Sequence, residues 1–180
     1  MASVPSPLTL PAGMADLFPA DGYRGDMAVP GPHRTAPRIL ETGPAKIRIS
    51  VEVRGASPDQ VFAFWTEPDR LRLWWPPEAT IDLRPEGTYS FTWPAMDSTL
   101  RGRWLRVAPG RELEFTWTWD HEPEVTKTVL VTFRPTDGGT EVEVQHAPYT
   151  DSSRDVELRR EHLDGWTHFL VRLVQVASAN

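Results

Sequence analysis

The sequence predicts an α+β fold: a strongly curved antiparallel sheet of seven strands wrapped on one long C-terminal helix. Three observations carry the prediction. Seven segments from Lys46 onward alternate apolar and polar residues, the last six are joined by short turns, and one long amphipathic run closes the chain.

The elements follow in order. Lys46 to Val53 puts Ile47, Ile49, Val51 and Val53 on one face at period two, the pattern of a half-buried strand. Ser57-Pro58-Asp59-Gln60 then supplies a capping Ser, a Pro at the first helical position and a Gln where a capping box needs one, ahead of Val61, Phe62, Phe64 and Trp65. Pro68 ends that short helix, and Asp69 to Trp75 reads as another helical turn or two, stopped by Pro76-Pro77. Six further strands are expected: Ala79 to Arg84, Gly87 to Trp93, Thr99 to Val107, Glu112 to Trp119, Val125 to Phe133 and Thr140 to His146. Pro85-Glu-Gly87, Pro109-Gly110, His121-Glu-Pro123 and Asp137-Gly138-Gly139 separate them, and connections this short force antiparallel hairpins. From Ser152 to about Ala177 the residues Leu163, Trp166, Leu170, Leu173 and Ala177 recur at helical spacing. Asp155, four residues before Arg159, is placed for a surface pair.

The sheet has one apolar face, and the closing helix is the large element able to cover it. Its inward positions are bulky: Tyr89, Phe91 and Trp93 on one strand, Leu113, Phe115, Trp117 and Trp119 on another, Val125, Val129, Val131 and Phe133 on a third. A curved sheet gripping one helix in this way leaves room for an apolar cavity between them. Residues 1–45 contrast with this domain. Eight of the 18 prolines precede Lys46, no helical or strand period is visible there, and all eight tryptophans come later. An irregular N-terminal arm over 1–45 and a domain over 46–180 are therefore expected, with short apolar pieces such as Met14 to Phe18 able to dock on the domain or to latch two subunits into a homodimer.

Composition narrows the partners. The chain has 180 residues, 39% hydrophobic, with 25 acidic against 19 basic side chains and a net charge of -6. A net negative surface repels phosphate backbones and anionic headgroups, which argues against nucleic acid and membrane as partners. No apolar run reaches the ~20 residues of a membrane span. The first thirty residues lack the pattern of a signal peptide, so a cytoplasmic location is expected. Zero cysteines exclude disulfides, thiolate nucleophiles and Cys-based metal sites.

Few residues carry chemistry. Trp93, Trp117, Trp119 and Trp166 can either fill the core or stack on an aromatic guest; so many indoles facing one helix favour a pocket. Among the five histidines no pair has zinc-helix spacing, and His162 and His168, six apart, point to different helix faces. His146 continues the inward series Val142, Val144 and is expected at a cavity mouth. There is no Gly-x-Ser-x-Gly elbow, no phosphate-cradling Gly loop and no Asp/Glu/His metal cluster, so neither a cofactor nor a catalytic constellation is assigned. Glu157, Glu161 and Asp164, interspersed with arginines, read as a solvated helix face, and Arg101 and Arg103 as the solvent face of their strand.

Pro58 to Trp75, with its Ala-Ser-Pro start, Val-Phe, Thr-Glu-Pro break and Leu-x-x-Trp-Trp-Pro, resembles the opening of the bacterial domains named after the activator of the 90-kDa heat-shock protein ATPase. Glu86-Gly87, Leu100-Arg-Gly102, Glu112-Leu-Glu-Phe-Thr-Trp117, Gly138-Gly-Thr140-Glu-Val and Gly165-Trp166-x-x-x-Leu170 follow in the family's order, over roughly residues 46–177. The resemblance implies the SRPBCC superfamily and the helix-grip fold of the birch pollen allergen and START lipid-transfer domains. It implies, most broadly, a carrier, sensor or stress-related protein that holds a small hydrophobic or aromatic ligand against Tyr89, Phe91, Trp93, Trp117, Trp119, His146, Tyr149 and Trp166. A second reading is an enzyme like the related polyketide cyclases and aromatases, with His146 and Tyr149 as acid or base. A chaperone co-factor ranks last, because the eukaryotic co-chaperone uses a separate N-terminal domain that this chain is too short to contain.

Overall fold

The alternation at Ile47, Ile49, Val51 and Val53 becomes a strand whose four apolar side chains are all buried. It is one element of a computed structural model that describes residues 36–40 and 43–178. The order is β1 (Arg38–Ile39), β2 (Ile47–Arg54), α1 (Pro58–Thr66), α2 (Pro68–Leu71), β3 (Glu78–Ile81), β4 (Thr88–Trp93), β5 (Ser98–Ala108), β6 (Glu112–Trp119), β7 (Lys127–Thr136), β8 (Gly139–Ala147) and α3 (Ser153–Ala177), with one 3-10 turn at Pro94–Met96. The capping box forms as expected: Ser57 Oγ accepts from Gln60 N–H, and Gln60 Oε1 accepts from Ser57 N–H. Ser152 caps α3 through Asp155 N–H.

The eight strands form one antiparallel sheet in the order β1-β2-β8-β7-β6-β5-β4-β3, so the meander from β3 to β8 is built of hairpins, and β8 returns to pair with β2. Helix α3 packs on β2, and α1 packs on β7 and α3. This is the expected helix-grip arrangement with one strand more than the seven anticipated. The extra strand, β1, pairs Arg38 with Ser50 and Ile39 with Ile49. Two residues are too few to show a period, so sequence alternation could not reveal it. Met14 to Phe18 and His33 lie outside the described residues.

Three local expectations are corrected. The second helix stops at Leu71 instead of running to Trp75, and Leu73 to Trp75 continue as turns; Pro76 disfavours helical backbone at the residue before it. Strand β7 begins at Lys127, and Val125 lies in the preceding turn, so the inward series is Lys127, Val129, Val131 and Phe133. Asp155 pairs across the fold with Lys127, whereas Arg159 donates to the Lys46 carbonyl. Arg101 and Arg103 do lie on the solvent face, paired with Asp120 and Glu86. Among the described residues no helix is long and apolar enough to cross a membrane.

Candidate functional site

Period-two geometry puts Tyr89, Phe91 and Trp93 of β4 and Trp117 and Trp119 of β6 on the inner face of the sheet, and α3 contributes Trp166; all six are buried. Trp75, from the turn after α2, stands among them, its ring centroid 5.2 Å from Phe91, 5.7 Å from Trp117 and 5.1 Å from Trp166, stacked on Trp117 at 24°. Trp117 also meets Trp166 at 5.5 Å and Trp119 at 5.9 Å, Trp119 meets Trp93 at 5.4 Å, and Tyr89 meets Phe91 at 4.5 Å. Trp75 therefore joins the aromatic rings into a continuous layer.

A buried polar cluster adjoins this layer. Strand register sets His146 on β8 between Ile47 and Val129, and helical spacing puts His162 one turn before Trp166. The two imidazoles stack with centroids 4.5 Å apart at 22°. Trp166 Nε1–H donates to His146 Nδ1 at 3.2 Å, and the Tyr149 hydroxyl shares a 2.8 Å hydrogen bond with His162 Nδ1. Tyr149 is itself held in place through its N–H, which donates to the Ala45 carbonyl. His146 was expected at a cavity mouth; it is fully buried instead, covered by His162 and Trp166 of α3 and flanked by Trp117 and Tyr149.

Burial dominates the electrostatics. It holds the His146 pKa well below the usual imidazole value, with His162 and Lys127 adding to the effect. His162 is likewise pushed down to about 3, first by burial and then by the positive charges of Lys127 and Arg154. Both rings are neutral at physiological pH. Burial also raises the Tyr149 hydroxyl far above its ordinary value, so it remains protonated. Lys127 caps the cluster: its Nζ donates to Asp155 Oδ1 and to the Pro148 carbonyl, both at 2.8 Å, and lies 4.5 Å from the centre of the Tyr149 ring. For Asp155, burial alone would raise the carboxyl, but hydrogen bonds from Lys127 and from Thr150 outweigh it and bring the pKa down to about 2.

Among the described residues six buried ring nitrogens have no hydrogen-bond partner: Nε1 of Trp65, Trp104, Trp117 and Trp119 and Nε2 of His146 and His162, the last four of which gather around Trp117. Trp117 connects them, with its ring 4.9 Å from His146 and 5.5 Å from His162. An unpaired buried donor or acceptor costs about 1–3 kcal/mol, so concentrating four of them at one place opposes stability unless something else pairs with them. Among the described residues no group of three His, Asp or Glu side chains could hold a metal ion.

Sequence reasoning did not single out His162, Lys127 or Trp75. His162 was visible as a member of the buried stripe Leu158, His162, Trp166, Leu170, four residues apart, and Lys127 as the period-two partner of Val129 and Val131. Trp75 had no such signal, since its position depends on how a non-helical turn folds back over the sheet.

No curated protein sequence matches the chain. Solved structures share its fold at low identity. Protein MLL2253 from Mesorhizobium loti has a TM-score of 0.66 at 18% identity, over 75% of this chain and 98% of that one. CV1439 from Chromobacterium violaceum has 0.61 at 20%, over 76% and 99%. CalU16 from Micromonospora echinospora has 0.62 at 23%, over 81% and 74%. The model of the family described as Activator of Hsp90 ATPase homolog 1-like protein matches residues 55–178, from the turn before α1 to the end of α3. That match takes in both short helices, the whole meander and the helix it grips, and the chain belongs to this family, within the SRPBCC superfamily.

Proposed function

We propose that the domain binds a small hydrophobic or aromatic molecule between the sheet and α3, as a cytoplasmic carrier or sensor. The observation that carries this reading is the set of unpartnered buried nitrogens inside an aromatic wall: a guest supplies both the ring contacts and the missing hydrogen-bond partner. Trp75, stacked on Trp117, is an internal stand-in for that guest, and the turn that carries it must yield for the guest to enter.

The uncharged probe N-phenyl-1-naphthylamine tests this. It is expected to bind and quench tryptophan emission. Trp117→Ala removes a wall of the site and weakens binding by about 1–3 kcal/mol, whereas Trp75→Ala removes the stand-in and tightens it. Probe binding that is absent, or that both substitutions weaken alike, overturns the reading.

The Tyr149–His162 hydrogen bond favours a second reading, acid–base catalysis at this site, of the kind the resemblance to polyketide cyclases implies. Against it, an imidazole whose pKa lies near 3 is a weak base at neutral pH. Deuterium exchange into the methylene of an aromatic 1,3-diketone decides between them: a binder leaves the exchange rate at its solution value, whereas a catalyst accelerates it and loses the acceleration in Tyr149→Phe.

A further inference from the structure

Resting on the binding reading above, we infer that the guest carries an uncharged acceptor oxygen, a ketone or quinone type of carbonyl, and that His146 Nε2–H and Trp117 Nε1–H are the donors that recognise it. The argument begins with Trp166. An indole nitrogen only donates, so the bond from Trp166 Nε1 makes His146 Nδ1 an acceptor. The ring's one proton then lies on Nε2, and that N–H has no partner among the described residues. Trp166 is thus a positioning residue: it sets the His146 tautomer that presents a donor.

Trp117 supplies a second unpartnered N–H on the neighbouring ring. The two rings that carry these N–H groups are direct neighbours, with centroids 4.9 Å apart. An oxygen seated there meets donors and finds no competing carboxylate among the residues that contact these rings.

The surrounding charges select further. Two N–H donors and the nearby Lys127 ammonium repel a cation, although the indoles alone would attract one. A carboxylate gains little, because Lys127 is already committed to Asp155 and both imidazoles are neutral, leaving a buried anion without a counter-charge. A neutral carbonyl on an aromatic frame satisfies the donors and is cheap to desolvate.

The experiment uses the full chain and competes two isosteric compounds against N-phenyl-1-naphthylamine: 2-acetylnaphthalene, with its carbonyl oxygen, and 2-isopropenylnaphthalene, with a methylene group in its place. The ketone is expected to bind at least about tenfold more tightly, the effect of one to two buried hydrogen bonds. His146→Phe should remove most of that preference, and Trp166→Phe should reduce it by freeing the tautomer. Nitrogen-15 NMR of the unmodified chain gives a readout independent of any variant: His146 should show its proton on Nε2, and that proton should shift downfield with the ketone and not with the hydrocarbon. Equal binding of the two compounds, or an Nδ1-protonated His146, overturns the acceptor-oxygen inference and leaves the aromatic-binding reading standing. If N-phenyl-1-naphthylamine and both naphthalenes fail to bind, the binding reading itself falls and takes this inference with it.

Discussion

Mild acidification is expected to strip the domain of much of its stability, through His146 and His162. Both rings are buried and neutral, with pKa values held below the ordinary 6.5 by burial first and by nearby positive charge second. Below pH ~6.5 the unfolded chain binds a proton at each ring and the folded chain does not, so stability rises with pH and falls on acidification. Each histidine contributes a slope of about 1.4 kcal/mol per pH unit, about 2.7 for the pair. By pH 5 His162 alone has removed about 2 kcal/mol, and His146 adds to this in the same direction, a sizeable fraction of the 5–15 kcal/mol typical of a domain. Asp155 stays out of this window, because the stability from its lowered pKa is complete above its unfolded value of 3.8 and is lost only as pH falls toward about 2. Glu161, raised chiefly by burial, acts in the opposite sense. His168, lowered by burial and then by Arg172, adds a smaller slope of the same sign. Urea unfolding followed by tryptophan fluorescence at pH 7.5, 6.5, 5.5 and 5.0 gives the slope directly. His162→Gln, which keeps a side chain able to accept from Tyr149, should cut that slope by about half whatever it does to stability at pH 7.5. A stability independent of pH over this range, or a variant slope equal to that of the parent, refutes the assignment of two buried neutral imidazoles.

Two further outcomes concern the frame around the site. Gly102 lies opposite Tyr89, whose hydroxyl donates to the Thr116 carbonyl at 2.6 Å; a Cβ at Gly102 would land on that carbonyl oxygen and 2.6 Å from the Tyr89 ring, so Gly102→Ala should cost about 3 kcal/mol and lower the melting temperature by roughly 10 °C. A chain beginning at residue 46 should melt several degrees below one beginning at residue 36, because it loses the β1 pairing, the Leu40 N–H bond to the Arg48 carbonyl, the Arg38–Glu141 ion pair and the Ala45 carbonyl that holds Tyr149; equal melting temperatures would show that residues 36–45 contribute nothing to the domain.

The sequence by itself determined all the secondary elements except the two-residue β1, and their order, because local physics writes them as local signals. Alternation marked β2 and the meander, Ser57-Pro58-Asp59-Gln60 marked a capped helix start, and spacing from Leu163 to Ala177 marked the closing helix. The inward aim of Tyr89, Phe91, Trp93, Trp117, Trp119 and His146 followed from the same period, since a pleated strand has only two faces. Tertiary structure decided which of these side chains meet. Register, set over the whole sheet, brings His146 near Lys127 and Trp117; helix placement stacks His162 on it and pairs Tyr149 with His162. Trp75 shows the limit most plainly. Two prolines announced that its helix would end, but where an irregular turn sets an indole depends on contacts with β4, β6 and α3, residues far away in the chain whose positions no local pattern encodes.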